Sequence, residues 1–446
     1  MTDVATRHPS YTLNRIREWR LMRDATSGES AIKEGDTAYL PRPSGFDNDS
    51  TGDRMWDAYK SRAQFPEIVA PSLSALLGVA HGREVTIEMP DALAYLFEDA
   101  DGEGTPLEEF HRQLTRELLG PGRVGVLVDV PEGSPDPVLL RYNAETIINW
   151  DRDFYVLDES GTERAGFGWE AVTRYRVLSM LDGQYVQTPY DGTTEGITIA
   201  PSAQGGRPLA IVPFAVANAL QVSPAIVTPP LIGVARAAVA SYQLSADYRW
   251  QLYMSGVETL VAINGEKPSK VGPGVVHEMM GAEGVTPDLK YVSPSCSGIA
   301  AHKEAINDNR IAAIMAGARL LEQSEQVQES GAARKLRFQS EMATLKTVVL
   351  SSCGLLERSL RNAALFKGLN PDAVVVTPPD ELMTQQWTPQ EALAFWELVE
   401  RNALSYETFY AKAQAAGVAS MERTAEQEFQ HISREAVGAD DGPLGP

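Results

Sequence analysis

The sequence predicts an α+β protein, and three observations carry that prediction. A run of β-branched and apolar residues, Val124–Val130, opens a series of short strand-like segments reaching Phe214. After Pro229-Pro230 the character changes to long helices, starting with the alanine-rich stretch Leu231–Met254. A small strand-containing piece with Gly and Pro turns interrupts those helices over residues 255–301.

Taken in order, residues 1–52 read as a polar arm, punctuated by Pro41, Pro43 and Gly45, with one short helix at Leu13–Met22. A helical pattern follows from Asp53 to Leu77, broken at Phe65-Pro66 and restarted after Ala70-Pro71. A short strand, Val85–Met89, stops at Pro90. Helices are expected at Asp91–Asp99 and Pro106–Leu119, the second opened by Thr105 with Glu108 at capping-box spacing. Gly120-Pro121-Gly122 ends that helix, and Val124–Val130 has the composition of a buried strand. Further strands are expected at Thr146–Trp150, Phe154–Leu157, Thr173–Met180, Gln184–Thr188 and Leu209–Phe214. Hairpin turns are expected at Asp158–Gly161 and Asp182-Gly183.

The second half is mostly helical. Leu231–Met254 is followed by strands at Thr259–Asn264 and Leu289–Val292, then by a helix over Lys303–Leu321 with Ile311, Ile314, Met315, Ala318 and Leu321 along one face. A polar break, Gln323–Gly331, precedes a third long helix from Ala332 to Phe366, which at 1.5 Å per residue reaches roughly 50 Å. Gly354 is a point where it could bend. Helices at Pro389–Asn402, Ser405–Ala415 and Met421–Glu435 lead into an acidic, Gly/Pro-rich tail.

Composition narrows the function classes. The chain has 446 residues, 60 acidic and 39 basic side chains, a formal charge of −21, and 43% hydrophobic residues. That is globular composition for two or three domains, and it excludes wholesale disorder. Two cysteines, Cys296 and Cys353, make neither a disulfide framework nor a four-thiolate zinc site, and they suit a reducing compartment. No stretch approaches the roughly 18 apolar residues of a membrane span, and the N-terminus has no signal-peptide apolar core. The acidity argues against tight, sequence-independent adhesion to nucleic acid.

Motifs for catalysis and cofactors fail on context. Gly120-Pro121-Gly122-Arg123-Val124-Gly125 matches GxGxxG, yet it follows a helix and opens a strand, the reverse of a dinucleotide fingerprint. Asp47–Gly52 begins like a calcium loop, but Ala58 stands where the bidentate carboxylate belongs. Asp99–Gly102 reads as a turn. His277-Glu278 opens an HExxH string that ends on Gly281, so no helical histidine pair exists. The six histidines are scattered through the sequence, and there is no phosphate loop or nucleophile elbow. The residues nominate no catalytic group, no metal ligand and no cofactor.

Charge is unevenly spread. Between Ala300 and Asn370 ten basic residues face seven acidic ones, leaving the remainder more acidic than the total suggests. Lys303, Arg310, Arg334, Lys335 and Arg337 lie on the two helices that flank the polar break. Any one of them read alone is a solvated helix face. Long helices interrupted by a small clip of strands suit either an internal bundle or a ring in which each helix packs on the next subunit.

The order of strings resembles the portal proteins of tailed bacteriophages and prophages, in a subgroup catalogued chiefly as a phage domain of unknown function. The resemblance rests on Tyr59–Pro66 with Val69–Leu73, Phe97–Gly102, Gly122–Pro131, Arg141–Trp150, Pro229–Leu231 with Ser245–Arg249, and Glu329–Arg334. It extends from about Asp53 to Glu435, and it departs from the family in a short clip-like segment.

That resemblance implies a portal fold: an arm (1–52), a mixed α/β wing (53–229), a stem helix (230–254), a clip (255–301), a second stem helix (302–322), a tunnel loop (323–331), a long wing or tunnel helix with a return strand (332–388), a helical crown (389–436) and a tail (437–446). It implies a homo-oligomeric ring, generally a dodecamer, at one capsid vertex of the virion, assembled in the host cytoplasm. Double-stranded DNA would pass through it during packaging and ejection. Its partners would be the large terminase, the major capsid and scaffolding proteins and a head–tail adaptor, with no membrane and no enzymatic activity. The DNA channel would be lined by tunnel-loop residues Gln323, Ser324, Glu325, Gln326, Val327, Gln328, Glu329, Ser330 and Gly331, with Lys303, Arg310, Arg334, Lys335 and Arg337 as DNA-proximal cations. Two other readings stay open on the residues alone: another head–tail connector component, such as an adaptor ring, and a cytosolic enzyme with a dispersed site.

Overall fold

The computed structural model describes residues 3–47, 49–131, 133–256, 258–265, 267–270, 284, 286–292, 298–315, 331–379, 382, 389–401, 403–415, 418–420 and 423–438. The chain divides into a unit of residues 1–81 and 85–378 and a smaller unit of residues 82–84 and 379–446.

The large unit begins with α1 (Leu13–Ser27) and α2 (Glu29–Glu34). Thr12 caps α1 by accepting the Arg15 N–H, and Gly28, at φ +97°, ends it in a conformation that favours glycine. Helix α1 runs a turn and more beyond the expected Leu13–Met22. Its stripe of Trp19, Met22 and Ala25, each 0–1% exposed, continues into the core, so this part of the N-terminal segment is packed rather than a free arm. The broken helical pattern resolves into α3 (Ser50–Arg62) and α4 (Val69–Ala80). The Asp47–Gly52 string does a helix cap's work: the Asp49 carboxylate accepts the Thr51 and Gly52 N–H groups at 2.9 and 2.7 Å.

Next come β1 (Thr86–Glu88), a 3-10 segment at Asp91–Phe97 where an α-helix is expected, and α5 (Leu107–Leu119). The Thr105–Glu108 capping box does not form. Pro106 occupies the cap position without a side-chain bond. The Thr105 N–H is already donated to Asp101, inside a turn that Asp99 closes on the Gly102 and Gly104 N–H groups.

Strands β2 (Arg123–Asp129) and β3 (Val138–Asn143) lead to β4 (Ile147–Asp151), β5 (Phe154–Asp158), β6 (Gly161–Ala165), β7 (Gly168–Val172), β8 (Arg174–Leu181), β9 (Gln184–Asp191), β10 (Thr194–Glu195), β11 (Ser202–Ala203), β12 (Arg207–Pro208) and β13 (Phe214–Asn218). They form an antiparallel sheet in the order β13-β2-β3 and another in the order β10-β9-β8-β5-β4. Strand β2 is central and buried from Arg123 to Val128, which explains its uninterrupted apolar run. The expected strand at Leu209–Phe214 is displaced: the ladder starts at Phe214, after Pro213, whose missing N–H suits a strand boundary. The Asp182-Gly183 turn joins β8 to β9 with both residues at positive φ, the geometry of a type I′ hairpin. The Asp158–Gly161 turn does not join neighbours. Strand β5 pairs with β8, and a separate hairpin of β6 and β7 is inserted between them.

The rest of the large unit comprises α6 (Ile232–Gly256), β14 (Thr259–Ile263), β15 (Asp288–Val292), α7 (Ile299–Met315), α8 (Gly331–Phe366) and β16 (Val375–Thr377), which pairs with β1. From Leu345 onward α8 fills the core against β13 and α5, burying Leu345, Val348, Leu356, Leu360 and Ala364. Gly354 meets a close approach there, since a Cβ would lie 3.0 Å from the Val222 side chain. The small unit holds α9 (Pro389–Glu400), α10 (Tyr406–Ala415) and α11 (Ala425–Gly438). Trp396, Tyr406, Phe409 and Phe429 make edge-on ring contacts among them.

The described residues form a mixed α and β structure without a closed barrel. No helix among them is long and apolar enough to cross a membrane.

Candidate functional site

Helix α6 is two structures in one. Its first four turns carry small residues that let neighbouring backbones approach: Ala235, Ala238 and Ala246 are 0% exposed, and Tyr242 is 1% exposed. Polar bonds fix this half. The Ser245 hydroxyl accepts the Gln64 N–H at 2.9 Å and lies 2.9 Å from the Gln64 carbonyl, and the Tyr59 hydroxyl donates to Asp247 at 2.6 Å. Phe46, Tyr59 and Trp250 form a ring cluster, and the Arg62 guanidinium lies 3.9 Å from the Tyr253 ring centroid.

Beyond Ala246 no residue of α6 is fully buried, and Leu252, Tyr253 and Met254 are exposed. Here α7 returns alongside, with the His302 ring nitrogen Nε2 3.1 Å from Gln251 Nε2. A Cβ at Gly298 would meet Gln251 at 3.1 Å, so the chain crosses closely at that point. Strands β14 and β15 pair between the helices from Thr259↔Val292 to Ile263↔Asp288, with Tyr291 and Val292 exposed. The result is two helices joined through a two-stranded ladder. Such a ladder is marginal in water by itself.

Lys303 and Arg310 are exposed on α7 and two turns apart, which sets them on one face, beside Glu304 and Asp308. Arg334, Lys335 and Arg337 belong to the first two turns of α8, and Gly331 is its first residue; the side chains of these turns lie outside the described residues. Gln323, Ser324, Glu325, Gln326, Val327, Gln328, Glu329 and Ser330 also lie outside the described residues, as do His277 and Glu278.

One grouping was invisible in the sequence. Histidines that look scattered meet in the core, where the His81 and His111 rings are 5.0 Å apart. His81 Nε2 is 2.9 Å from the Thr115 hydroxyl, and Cys353 Sγ is 3.9 Å from His111 Nε2. Burial pushes His81 down to about 4 and His111 to about 3, and pushes the Cys353 thiol up to about 12. At neutral pH the imidazoles are uncharged and the thiol is protonated, so the trio packs α4, α5 and α8 together and offers no thiolate nucleophile. Helices distant in sequence bring it together, and no spacing rule could have found it. Among the described residues no group of three or more His, Cys, Asp or Glu could hold a metal ion.

Arg123, from the GxGxxG-like string, is 1% exposed. It lies 4.1 Å from the Trp150 ring centroid and donates from Nη1 to the carbonyls of Ala144 and Ile147. His8 stacks on Trp150 with ring centroids 4.0 Å apart. Gly122, at φ +82°, makes the turn before it, so the string is a helix-to-strand corner around a buried cation.

A domain family described as a domain of unknown function, DUF4055, matches residues 230–367, which is the segment from α6 through α8. No curated protein matches the chain. Among solved structures, a chain from the neck of a native GTA particle computed with C12 symmetry is 13% identical. It covers 79% of this chain and 90% of its own, with a TM-score of 0.36. A chain from the neck of an empty GTA particle computed with C6 symmetry is 15% identical over 80% of this chain and 91% of its own, with a TM-score of 0.37.

Proposed function

We propose that this chain is a portal-type subunit of a tailed phage or prophage particle, assembling as a ring around a channel for double-stranded DNA. The observation that carries the reading is the α6–β14–β15–α7 excursion. Its distal part lacks fully buried side chains among the described residues and exposes Leu252, Tyr253, Met254, Tyr291 and Val292. A solitary chain would leave that apolar surface in water, whereas a ring covers it with the next copy of the same helices. The DUF4055 match falls on this segment and on α8, the part that carries the stem, clip and long-helix resemblance.

Function follows from charge. A channel through which DNA slides needs weak, nonspecific contacts, because every neutralised phosphate adds a salt-sensitive attraction that resists movement. A chain of charge −21 with sparse cations on α7 and the start of α8 meets that requirement. In this reading Lys303, Arg310, Arg334, Lys335 and Arg337 touch phosphates in passing, and residues 323–331 narrow the channel. The clip meets the large terminase, the ring meets capsid, scaffolding and adaptor proteins, and the assembly sits at one virion vertex. Negative-stain microscopy of the purified chain tests this directly. Rings with a central hole are expected, whereas monomers alone at high concentration and with scaffold present would sink the proposal.

A further inference from the structure

The β6–β7 hairpin makes no use of its own apolar groups. Its strands pair from Gly161↔Val172 to Ala165↔Gly168, and every residue except Val172 is exposed. Gly166, at φ +62°, occupies the first of two loop positions, as a type II′ turn requires, and this leaves Phe167 at the tip. Phe167 is 103% exposed and Trp169 is 71% exposed. Arg164 stands directly opposite Trp169, so one face of the hairpin carries an aromatic ring and a cation.

A matching surface lies on the five-stranded sheet of the same chain. The inner face of that sheet buries Leu157 and Leu178 completely. The alternate residues Phe154, Val156 and Val177 face the other way; Val156, 2% exposed, is the closed floor, and the half-buried Phe154 and Val177 flank it. They line an open groove of about 710 Å³, bordered by Tyr190 and by the carboxylates of Asp3 and Glu195. The groove is apolar with an acidic border, and the hairpin is aromatic with a basic member. Phe167, with its ring fully exposed, does not fill it in its own chain.

We infer that the β6–β7 hairpin of one copy docks in the β5–β8 groove of a second copy, with Phe167 and Trp169 on Phe154 and Val177 and Arg164 toward Asp3 and Glu195. The contact is head-to-tail: each chain gives a hairpin and receives one, so repetition closes a ring or runs on as a filament. Two aromatic side chains bury roughly 150–250 Å² each, less than the approximately 800 Å² per partner of a stable interface. The hairpin therefore sets register beside a larger contact. This inference rests on the ring reading above.

Cysteine cross-linking tests it, since a disulfide needs Cα atoms about 4.4–6.8 Å apart. In a background with Cys296→Ser and Cys353→Ser, chains carrying Phe167→Cys are mixed with chains carrying Val177→Cys under assembly conditions and mildly oxidised. Covalent dimers are expected in the mixture and in neither variant alone, and the double variant should give a ladder at multiples of the chain mass. Rings in the microscope without these cross-links would overturn the hairpin contact and leave the ring reading standing. Cross-links in Phe167→Cys alone would mean tip-to-tip pairing and would also overturn it. Wild-type chains that stay monomeric would remove the ring reading first. As an independent measure, Phe167→Asp with Trp169→Asp, folded by circular dichroism, should lower the ring fraction several-fold; an unchanged fraction counts against the contact.

Discussion

Arg23 on α1 grips Glu117 on α5 through two parallel N–H···O bonds of 2.8 and 2.7 Å. The same guanidinium reaches Glu145 at 2.9 and 3.0 Å, and Arg141 stands 3.6 Å from Glu117. The Glu117 side chain is only 6% exposed, so its charge depends on these partners. Replacing Arg23 by Ala should cost about 3 kcal/mol, the scale for stranding a buried carboxylate. Lysine should restore only part of that loss, because it lacks the two-pronged geometry. The urea midpoints of the two variants provide the measurement.

His111 gives the fold a defined response to acid. Its pKa is about 3 in the folded chain, pressed down by burial, against 6.5 for an ordinary histidine. Between those values the unfolded chain binds the proton and the folded one does not, so stability rises with pH across this window and is lost on acidification. At about 1.4 kcal/mol per pKa unit, the group should cost roughly 2 kcal/mol between pH 6.5 and pH 5. His111→Gln should flatten the pH dependence of the melting temperature over that range. An unchanged slope would show that other groups set it.

Gly125 sits where β2 passes under two large side chains. A Cβ there would lie 2.5 Å from the Phe214 ring and 2.9 Å from Ile147 Cδ1, both in the core. Gly125→Ala should destabilise by about 1–3 kcal/mol through overpacking, and a smaller side chain at Phe214 should relieve part of it. The non-additivity of the pair in chemical unfolding is the readout.

Leu252 and Met254 separate folding from assembly. Both are exposed near the end of α6, 41% and 45% respectively. Changing both to Glu should leave the melting temperature of the isolated chain nearly unchanged, within about 0.5 kcal/mol for surface sites. Ring formation, followed by analytical ultracentrifugation, should be lost.

Much of the architecture was legible because apolar pattern and burial coincide. Strand β2 lies between two others and declares itself by its apolar run, and α6 declares itself by alanines, of which Ala235, Ala238 and Ala246 are fully buried. Strand β3 was missed because Arg141 and Asn143 interrupt its apolar pattern. The β6–β7 hairpin was missed because nothing in it is fully buried, so it has no amphipathic signature to read. Thr105 and Glu108 had the right spacing for a cap, but the Asp99–Asp101 turn already used the local N–H groups. For the candidate site, the helices expected around Lys303, Arg310, Arg334, Lys335 and Arg337 are present as α7 and α8. Sequence could not group His81, His111 and Cys353, which meet only through packing.

The side chains of Ser351 and Ser352 carry a mechanical consequence. Ser351 donates to the Asn218 carbonyl at 2.6 Å, and Ser352 lies 2.8 Å from the Thr115 hydroxyl, so α8 is clamped to β13 and α5 near its middle. From Ser351 back to Gly331 the helix spans about 30 Å. A tilt of about 5° at the clamp displaces the Gly331 end by roughly 3 Å over that length. The helix thus ties the buried β13–β2–β3 sheet to the turns that carry Arg334, Lys335 and Arg337, so a small rearrangement at the clamp is expected to register as a larger one at that end.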